Sequence, residues 1–197
     1  MALCGDICDE AFARDAIDKV MEAYGKVDIL VNNAGGHVGT SPRLRDISEK
    51  QLARTFGVNV FGTIFMCKHV LPNMADDGAI INHASCDAYT GRENLMDYAA
   101  ASGALLAFSK SLAANEECVR KRIRVNCVAS GNVMTPNVEK TLGRQACTSY
   151  GKEHSILGRC AHPDEVAPSF VFLASNRDSG FMTGHVLHPD GGVRIGC

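Results

Sequence analysis

The sequence predicts an α/β fold built on a parallel sheet. Helical patterns of apolar residues alternate along the chain with short, continuous apolar runs, the order typical of strand–helix–strand units. The 197 residues suit one domain with a sizeable core, since 46% of them are hydrophobic and 21% are charged. No apolar run approaches the ~20 residues that cross a bilayer. We therefore expect a cytoplasmic protein without a membrane partner.

The first elements that the sequence predicts are a helix, a buried strand and a long helix. Helical spacing of apolar residues covers residues 9–24 and stops at Gly25, and residues 27–31 form a continuous apolar strand. After a loop, Ser48 is the expected N-cap of a helix that runs to about residue 71. Gln51 stands at the capping-box position of that helix.

The second half of the chain repeats the alternation. Strands are predicted at residues 78–84 and 123–128, separated by a helix over about residues 97–115. Residues 137–160 lack a clean period, which suits a substrate lid above the carboxyl ends of the strands, where open α/β sheets bind ligands. The closing elements are a helix and a short strand, at residues 163–174 and 185–187.

Charge and cysteine content argue against several kinds of partner and site. The formal net charge is −2, and phosphate contacts supply most nucleic-acid affinity, so we expect no nucleic-acid partner. The one basic cluster, residues 120–124, is interpreted as a solvated helix end. Nine cysteines without a CxxC pair favour free thiols in a reducing compartment. The scattered histidines indicate no metal site.

Four motifs in a fixed order carry the functional signal. They are the turn Asn32-Asn33-Ala34-Gly35, then Asn59, then Ser85, and finally the segment Asp97-Tyr98-Ala99-Ala100-Ala101-Ser102. Ser85 ends a predicted strand and Tyr98 opens the following helix thirteen residues later, so their hydroxyl groups can converge. The order and spacing of these motifs resemble the short-chain dehydrogenase/reductase family from about residue 2 to Gly192, and within it the glucose and ribitol dehydrogenase-like members.

The resemblance implies a Rossmann-like, doubly wound parallel sheet and an NAD- or NADP-dependent oxidoreductase acting on an alcohol/ketone pair. In the family a tyrosine exchanges a proton with the substrate oxygen, a serine holds that oxygen and an asparagine holds a water in the proton relay. Tyr98, Ser85 and Asn59 stand at these three positions. The cofactor-binding residues implied by the resemblance are Asp6, Asn33, Ala34, Gly35, Tyr98, Val133 and Thr135. It also implies a small-molecule substrate and a homo-oligomer.

Two departures from the family pattern predict impaired activity. Ser102 stands where the family has a lysine, whose charge lowers the tyrosine pKa and whose ammonium group binds the nicotinamide ribose. In addition, the chain begins at Met1 without the family's first strand and Gly-rich turn, which bind the pyrophosphate. We therefore expect residues 1–197 to form one truncated domain that lacks the first βαβ portion and binds the dinucleotide weakly.

Three interpretations remain open on the sequence alone. The first is an oxidoreductase with impaired activity. The second is a non-catalytic interaction protein that keeps oligomer surfaces on the helices of residues 48–71 and 97–115. The third is a piece of a longer protein whose front segment lies upstream of Met1. If the first strands are absent, either residues 2–6 pair beside residues 27–31 or the latter form an open edge.

Overall fold

The computed structural model describes residues 1–193 and contains one parallel sheet with helices on both faces. Its four strands lie in the order β1-β2-β3-β4, and each neighbouring pair is parallel. The strands are β1 Val27–Asn32, β2 Met74–Ser85, β3 Arg124–Ser130 and β4 Val186–Leu187. The helices are α1 Glu10–Tyr24, α2 Glu49–Phe56, α3 Gly62–Val70, α4 Asp87–Thr90, α5 Met96–Ala113, α6 Glu116–Lys121, α7 Pro136–Leu142, α8 Arg144–His154, α9 Pro163–Ala174 and α10 Asn176–Ser179. Short 3-10 turns lie at Leu44–Asp46 and Leu71–Asn73. The parallel α/β class predicted from the sequence is confirmed.

Strand β1 is an open edge in the described part of the chain. It pairs only with β2 there, and residues 1–6 form no strand beside it. Of the two arrangements expected from the sequence, the open edge is therefore the one observed. Ile29 and Val31 are 48% and 44% exposed on this strand, whereas Leu30 is buried against α1. Among residues 1–193, no helix combines the length and the apolar character needed to cross a membrane.

The long helix predicted to start at Ser48 is two helices joined by a π-helical turn. The turn spans Gly57–Phe61 and places Asn59, which is buried, at its centre. Such turns widen the helix and often occur at functional sites. Ser48 caps α2 as predicted, because its hydroxyl accepts from Gln51 N at 3.1 Å. The Gln51 side chain does not complete the capping box and instead donates to Asp97 Oδ2 at 3.1 Å.

A chain of buried polar side chains crosses the sheet and fixes helix α5. Asn32 Nδ2 donates to Asn82 Oδ1 at 2.8 Å, and Asn82 Nδ2 donates to Ser109 Oγ at 2.8 Å. The Cys127 thiol donates to the same hydroxyl at 3.0 Å. These four residues join β1, β2 and β3 to α5. Each bond contributes ~1 kcal/mol, but an unpaired buried member costs about 1–3 kcal/mol, so the chain stabilises the position of α5 as a unit.

The interpretation of the basic cluster as a solvated helix end is wrong for Arg124. Arg124 is 6% exposed on β3, and its guanidinium donates to the carbonyl oxygens of Leu173 and Ala174 at 2.9 and 3.3 Å. It also donates to Asn176 Oδ1 at 3.0 Å. The guanidinium therefore satisfies carbonyl groups at the C-terminus of α9, where a positive charge is favourable. That pairing compensates for its burial.

The segment predicted as an irregular lid folds into α7 and α8. Thr135 caps α7 by accepting from Val138 N at 3.2 Å, and Gly143, with φ 82°, separates the two helices. Helix α8 buries Cys147 and Gly151, so it has no apolar stripe from which the sequence could predict it. Its movement as a lid stays a prediction.

Candidate active site

Most of the residues predicted from the motifs meet at one cavity of about 580 Å³ at the carboxyl ends of the first three strands. Those that line it are Asn33, Gly35, Asn59, Ser85, Tyr98, Val133 and Thr135. A wider cleft of about 1200 Å³ lies beside it, between the start of α5 and helix α8, but neither Ser85 nor Tyr98 lines that cleft. The smaller cavity is therefore the candidate active site.

Two hydroxyl groups converge on the floor of this cavity. Ser85 ends β2 and its Oγ accepts from Asp87 N at 3.1 Å, which fixes the side chain where the strand turns into α4. Tyr98 lies in the first turn of α5 and its phenol interacts with the hydroxyls of Ser85 and Ser102. This pairing brings together two residues that the sequence predicts to converge, and both can face one small oxygen-containing group.

The electrostatic surroundings of Tyr98 favour the neutral phenol. Burial, followed by the negative charge of Asp87, raises the pKa of Tyr98 to about 12. Hydrogen bonding by Ser85 and Ser102 opposes this rise without reversing it. Ser102 is 2% exposed and stands at the position beside Tyr98 where the resemblance implies a lysine. A hydroxyl at that position supplies a dipole rather than a charge, so tyrosinate remains strongly disfavoured.

Asn59 acts on the loop that follows β1. Its Oδ1 accepts from Gly36 N at 2.8 Å, and its Nδ2 donates to the carbonyl oxygens of Gly36 and Thr55 at 2.9 and 2.8 Å. Its own backbone carbonyl accepts from Thr63 Oγ1 at 3.0 Å. The amide oxygen and one amide hydrogen therefore clamp the loop against the π turn, and the other hydrogen anchors the side chain to α2. The structure shows this clamp, while a water relay through Asn59 stays a prediction.

The start of α5 is held against α2 by a buried carboxylate. Asp97 Oδ2 accepts from Thr55 Oγ1 at 2.7 Å and from Gln51 Nε2 at 3.1 Å. Asp97 is 4% exposed and lies in the first turn of the helix, where its charge complements the helix dipole. These bonds orient the turn that carries Tyr98.

His83 joins two walls of the cavity. Its Nδ1 lies 2.7 Å from Asn33 Oδ1 and its Nε2 lies 2.8 Å from Ser130 Oγ. Its ring also packs edge-on against Phe170, with centroids 5.3 Å apart. Burial lowers the pKa of His83 to about 4, so the ring is neutral at pH 7. A neutral ring with one donor and one acceptor satisfies both contacts.

The cavity is also lined by three polar residues that the motifs do not identify: His37, Asp87 and Arg92. The His37 ring lies edge-on to Tyr98, with centroids 6.1 Å apart, and burial lowers its pKa. Within the described residues, its buried Nε2 has no hydrogen-bond partner. Arg92 Nη1 lies 3.8 Å from Asp87 Oδ2. The sequence signal for these residues is weak, because none of them stands in one of the four motifs.

Two residues predicted to bind the cofactor lie away from the cavity lining. Asp6 is exposed and pairs with Arg54 at 2.8 Å, while it also accepts from Cys8 N at 3.0 Å. These two hydrogen bonds lower the pKa of Asp6 to about 2, and the bond from Cys8 N has the larger effect. Ala34 stands in the exposed turn after β1 and is not among the residues that line the cavity.

Comparison with known proteins assigns the family. A sequence profile described as enoyl-(acyl carrier protein) reductase matches residues 1–194. The chain is 38% identical over 195 residues to NADPH-dependent aldehyde reductase 1, chloroplastic, of Arabidopsis thaliana, an alignment that covers 99% of this chain and 66% of the relative. It is also 38% identical to glucose and ribitol dehydrogenase of Daucus carota, covering 99% and 65% of the two proteins. The chain thus spans just under two thirds of the length of these relatives.

Solved structures agree in fold. The short-chain glucose/ribitol dehydrogenase from Brucella melitensis superposes with a TM-score of 0.90 at 28% identity, covering 100% of this chain and 77% of that one. A blue fluorescent protein from a metagenomic library, solved in complex with NADPH, superposes with a TM-score of 0.86 at 30% identity, covering 95% and 73%. Since the profile matches nearly the whole sequence, the chain belongs to the short-chain dehydrogenase/reductase family.

Proposed function

We propose that this chain forms the catalytic part of an NAD(P)-dependent oxidoreductase that interconverts an alcohol and a carbonyl compound, with activity reduced by Ser102. The observation that carries the proposal is the pairing of the Ser85 and Tyr98 hydroxyls inside a cavity at the carboxyl end of β2. Relatives named as an NADPH-dependent aldehyde reductase and a glucose and ribitol dehydrogenase support the same reaction class.

The two hydroxyls suit a substrate oxygen that changes between carbonyl and alcohol. Ser85 donates a hydrogen bond to this oxygen and holds it, and Tyr98 transfers its phenolic proton to the oxygen as the carbonyl is reduced. In the reverse direction the phenolate of Tyr98 takes the proton from the alcohol. A positioned acid or base of this kind contributes typically ~10²–10⁴ in rate.

The described residues fit the nicotinamide end of a dinucleotide. The Thr135 hydroxyl accepts from Val138 N and keeps its own hydrogen for a ligand, and the buried Nε2 of His37 has no partner among residues 1–193. The cavity also reaches Val31 at the exposed end of β1. When bound, the nicotinamide ring supplies or accepts the hydride. Asn33, Val133 and Thr135 would hold it against the floor that Ser85 and Tyr98 form.

The raised pKa of Tyr98 slows proton transfer in both directions of the reaction. With a pKa of about 12, roughly one phenol in 10⁵ is ionised at pH 7. Reduction needs the neutral phenol, which is fully populated, although so weak an acid transfers its proton slowly. Oxidation needs the phenolate, which is scarce. Both directions are therefore slowed, because the overall equilibrium constant and not the pKa of Tyr98 fixes the ratio of the two catalytic efficiencies.

The experiment that tests this proposal restores the missing charge. Ser102→Lys and Ser102→Met are compared with the unchanged chain. All three proteins carry the same N-terminal segment, taken from a family member and containing the Gly-rich turn, so that dinucleotide binding does not limit the assay. Steady-state reduction of small ketones and aldehydes is followed by NADPH absorbance. We expect Ser102→Lys to be at least about a hundredfold faster than the unchanged chain, since acid/base catalysis is worth ~10²–10⁴.

Ser102→Met is the matched control, because methionine has nearly the length of lysine but no charge. It should stay as slow as the unchanged chain. Equal rates for all three proteins would contradict the role given to Ser102. Dinucleotide binding without turnover in any of them would favour the non-catalytic interaction protein.

A further inference from the structure

Two cysteine side chains meet where helix α8 packs on the segment that follows it. The Sγ atoms of Cys147 and Cys160 lie 3.1 Å apart, and Cys160 Sγ lies 3.0 Å from the Cys147 carbonyl oxygen. A Cβ added at Gly151 would come within 2.6 Å of Cys160 N, so the helix and the segment are closely packed here. Since a disulfide bond is ~2.05 Å long, the two sulfurs need to approach by only about 1 Å.

We propose that Cys147 and Cys160 form a reversible disulfide that ties helix α8 to the wall of the active-site cavity. Cys160 is followed by Ala161, whose N–H donates to Asn132 O at 2.8 Å and whose carbonyl oxygen accepts from Met134 N at 2.9 Å. Asn132 lines the cavity. A bond from α8 to Cys160 therefore reaches the cavity wall through one residue and two short hydrogen bonds.

In the dithiol form, side-chain contacts hold α8 to the same wall. The Arg92 guanidinium lies 3.9 Å from the centre of the Tyr150 ring on α8 and donates to Asn132 Oδ1 at 3.2 Å. These contacts are non-covalent, so they are lost whenever α8 opens locally. A disulfide between two cysteines thirteen residues apart in the sequence would keep α8 in place when these side-chain contacts break. Oxidation therefore sets how freely α8 separates from the cavity wall.

The chemistry is thiol–disulfide exchange with a low-molecular-weight disulfide. Cys160 is partly exposed, so its thiolate attacks one sulfur of the reagent, forms a mixed disulfide and releases one thiol. Burial and the neighbouring thiol raise the pKa of Cys147 to about 12, which keeps it protonated and makes it the second partner. Cys147 then gives up its proton, attacks Cys160 Sγ and releases the second thiol. Two protein thiols are oxidised and one reagent disulfide is reduced.

The test uses oxidised glutathione as the reagent. The folded chain is incubated with it, the remaining thiols are alkylated and trypsin digests the product. We expect one linked pair of peptides, residues 145–152 and 160–177, with the loss of two free thiols, and separation of the pair on reduction. Cys147→Ser and Cys160→Ser should each abolish the link, and Cys4→Ser, at an exposed thiol, should leave it unchanged.

The effect of the disulfide on local opening of α8 is measured by limited proteolysis of the native chain. Cleavage at Arg144 or Lys152 should be slower in the oxidised form by at least about tenfold, because a cross-link suppresses local opening. The proposal is overturned if glutathione stays on Cys160 as a mixed disulfide, if other cysteines pair while these two remain reduced, or if cleavage rates do not change. None of these readouts depends on catalytic activity, so the inference stands or falls separately from the proposed reaction.

Discussion

Acidification should weaken the fold through His83. The ring is neutral in the folded chain because burial lowers its pKa from 6.5 to about 4. In the unfolded chain it takes up a proton near pH 6.5, so between the two values the unfolded state binds more protons. Stability therefore rises with pH across this interval, is fully present above about pH 6.5 and is lost as the pH falls towards 4.

The size of the effect follows from the two pKa values. Their difference of about 2.5 pH units, at 1.36 kcal/mol per unit, corresponds to roughly 3 kcal/mol in total. Between pH 7 and pH 5 the loss due to His83 should be ~2 kcal/mol. This interval lies above the range in which the lowered pKa values of Asp6 and Glu165, both about 2, affect stability, so those carboxylates contribute little to the change. His37, whose pKa is also lowered, acts in the same direction.

Urea denaturation at pH 5, 6 and 7 measures this loss directly. His83→Gln removes the titrating group, so it should flatten the dependence on pH by ~2 kcal/mol even if the variant is less stable at pH 7. His154→Gln, at an exposed position, controls for the loss of a histidine. If His83→Gln keeps the full pH dependence of the unchanged chain, the assignment of the effect to His83 is wrong.

Three further outcomes are expected. Asn59→Ala should cost about 2–4 kcal/mol in urea denaturation, because it leaves both backbone groups of Gly36 without their partner, whereas Asn73→Ala, which removes one bond to a carbonyl oxygen, should cost under ~1 kcal/mol. Lysine at both Ile29 and Val31 should reduce concentration-dependent association in sedimentation velocity, since charge on an open strand edge blocks pairing; unchanged association would exclude this edge. Calorimetric titration of the 197-residue polypeptide alone should give a dinucleotide Kd poorer than about 1 mM, and micromolar binding would contradict it.

Local signals in the sequence predicted the regular elements well. Gly25 ends α1 because it adopts the left-handed conformation that glycine favours, and the apolar run before Asn32 forms β1. Helices α7 and α8 were not predicted, since a helix that buries two small residues leaves no apolar period. The burial of Arg124 was also missed, because the carbonyl groups that it satisfies lie some fifty residues further along the chain.

The candidate site likewise contains some features that the sequence could predict and others that it could not. Ser85 and Tyr98 could be predicted to converge, because a strand exit and the start of the next helix lie at the same edge of a parallel sheet. The bond from His83 to Asn33 and the position of His37 beside Tyr98 depend on how loops pack after folding. The structure also gives Asn59 a visible role as a clamp, which its position in a helical pattern did not predict.

The buried chain of Asn32, Asn82 and Ser109 makes the substitution tolerance of these positions interdependent. Replacing Asn82 by leucine would remove one hydrogen bond from Asn32 and one from Ser109 in an apolar layer, whereas replacing all three residues by apolar ones of similar shape would leave neither of these two partners behind. The cost of any single change should therefore fall when the others are changed first. In a redesigned version of this fold, the three positions should therefore be changed together or not at all. A one-residue slip of β1 against β2 is disfavoured for the same reason, because it would separate Asn32 from Asn82.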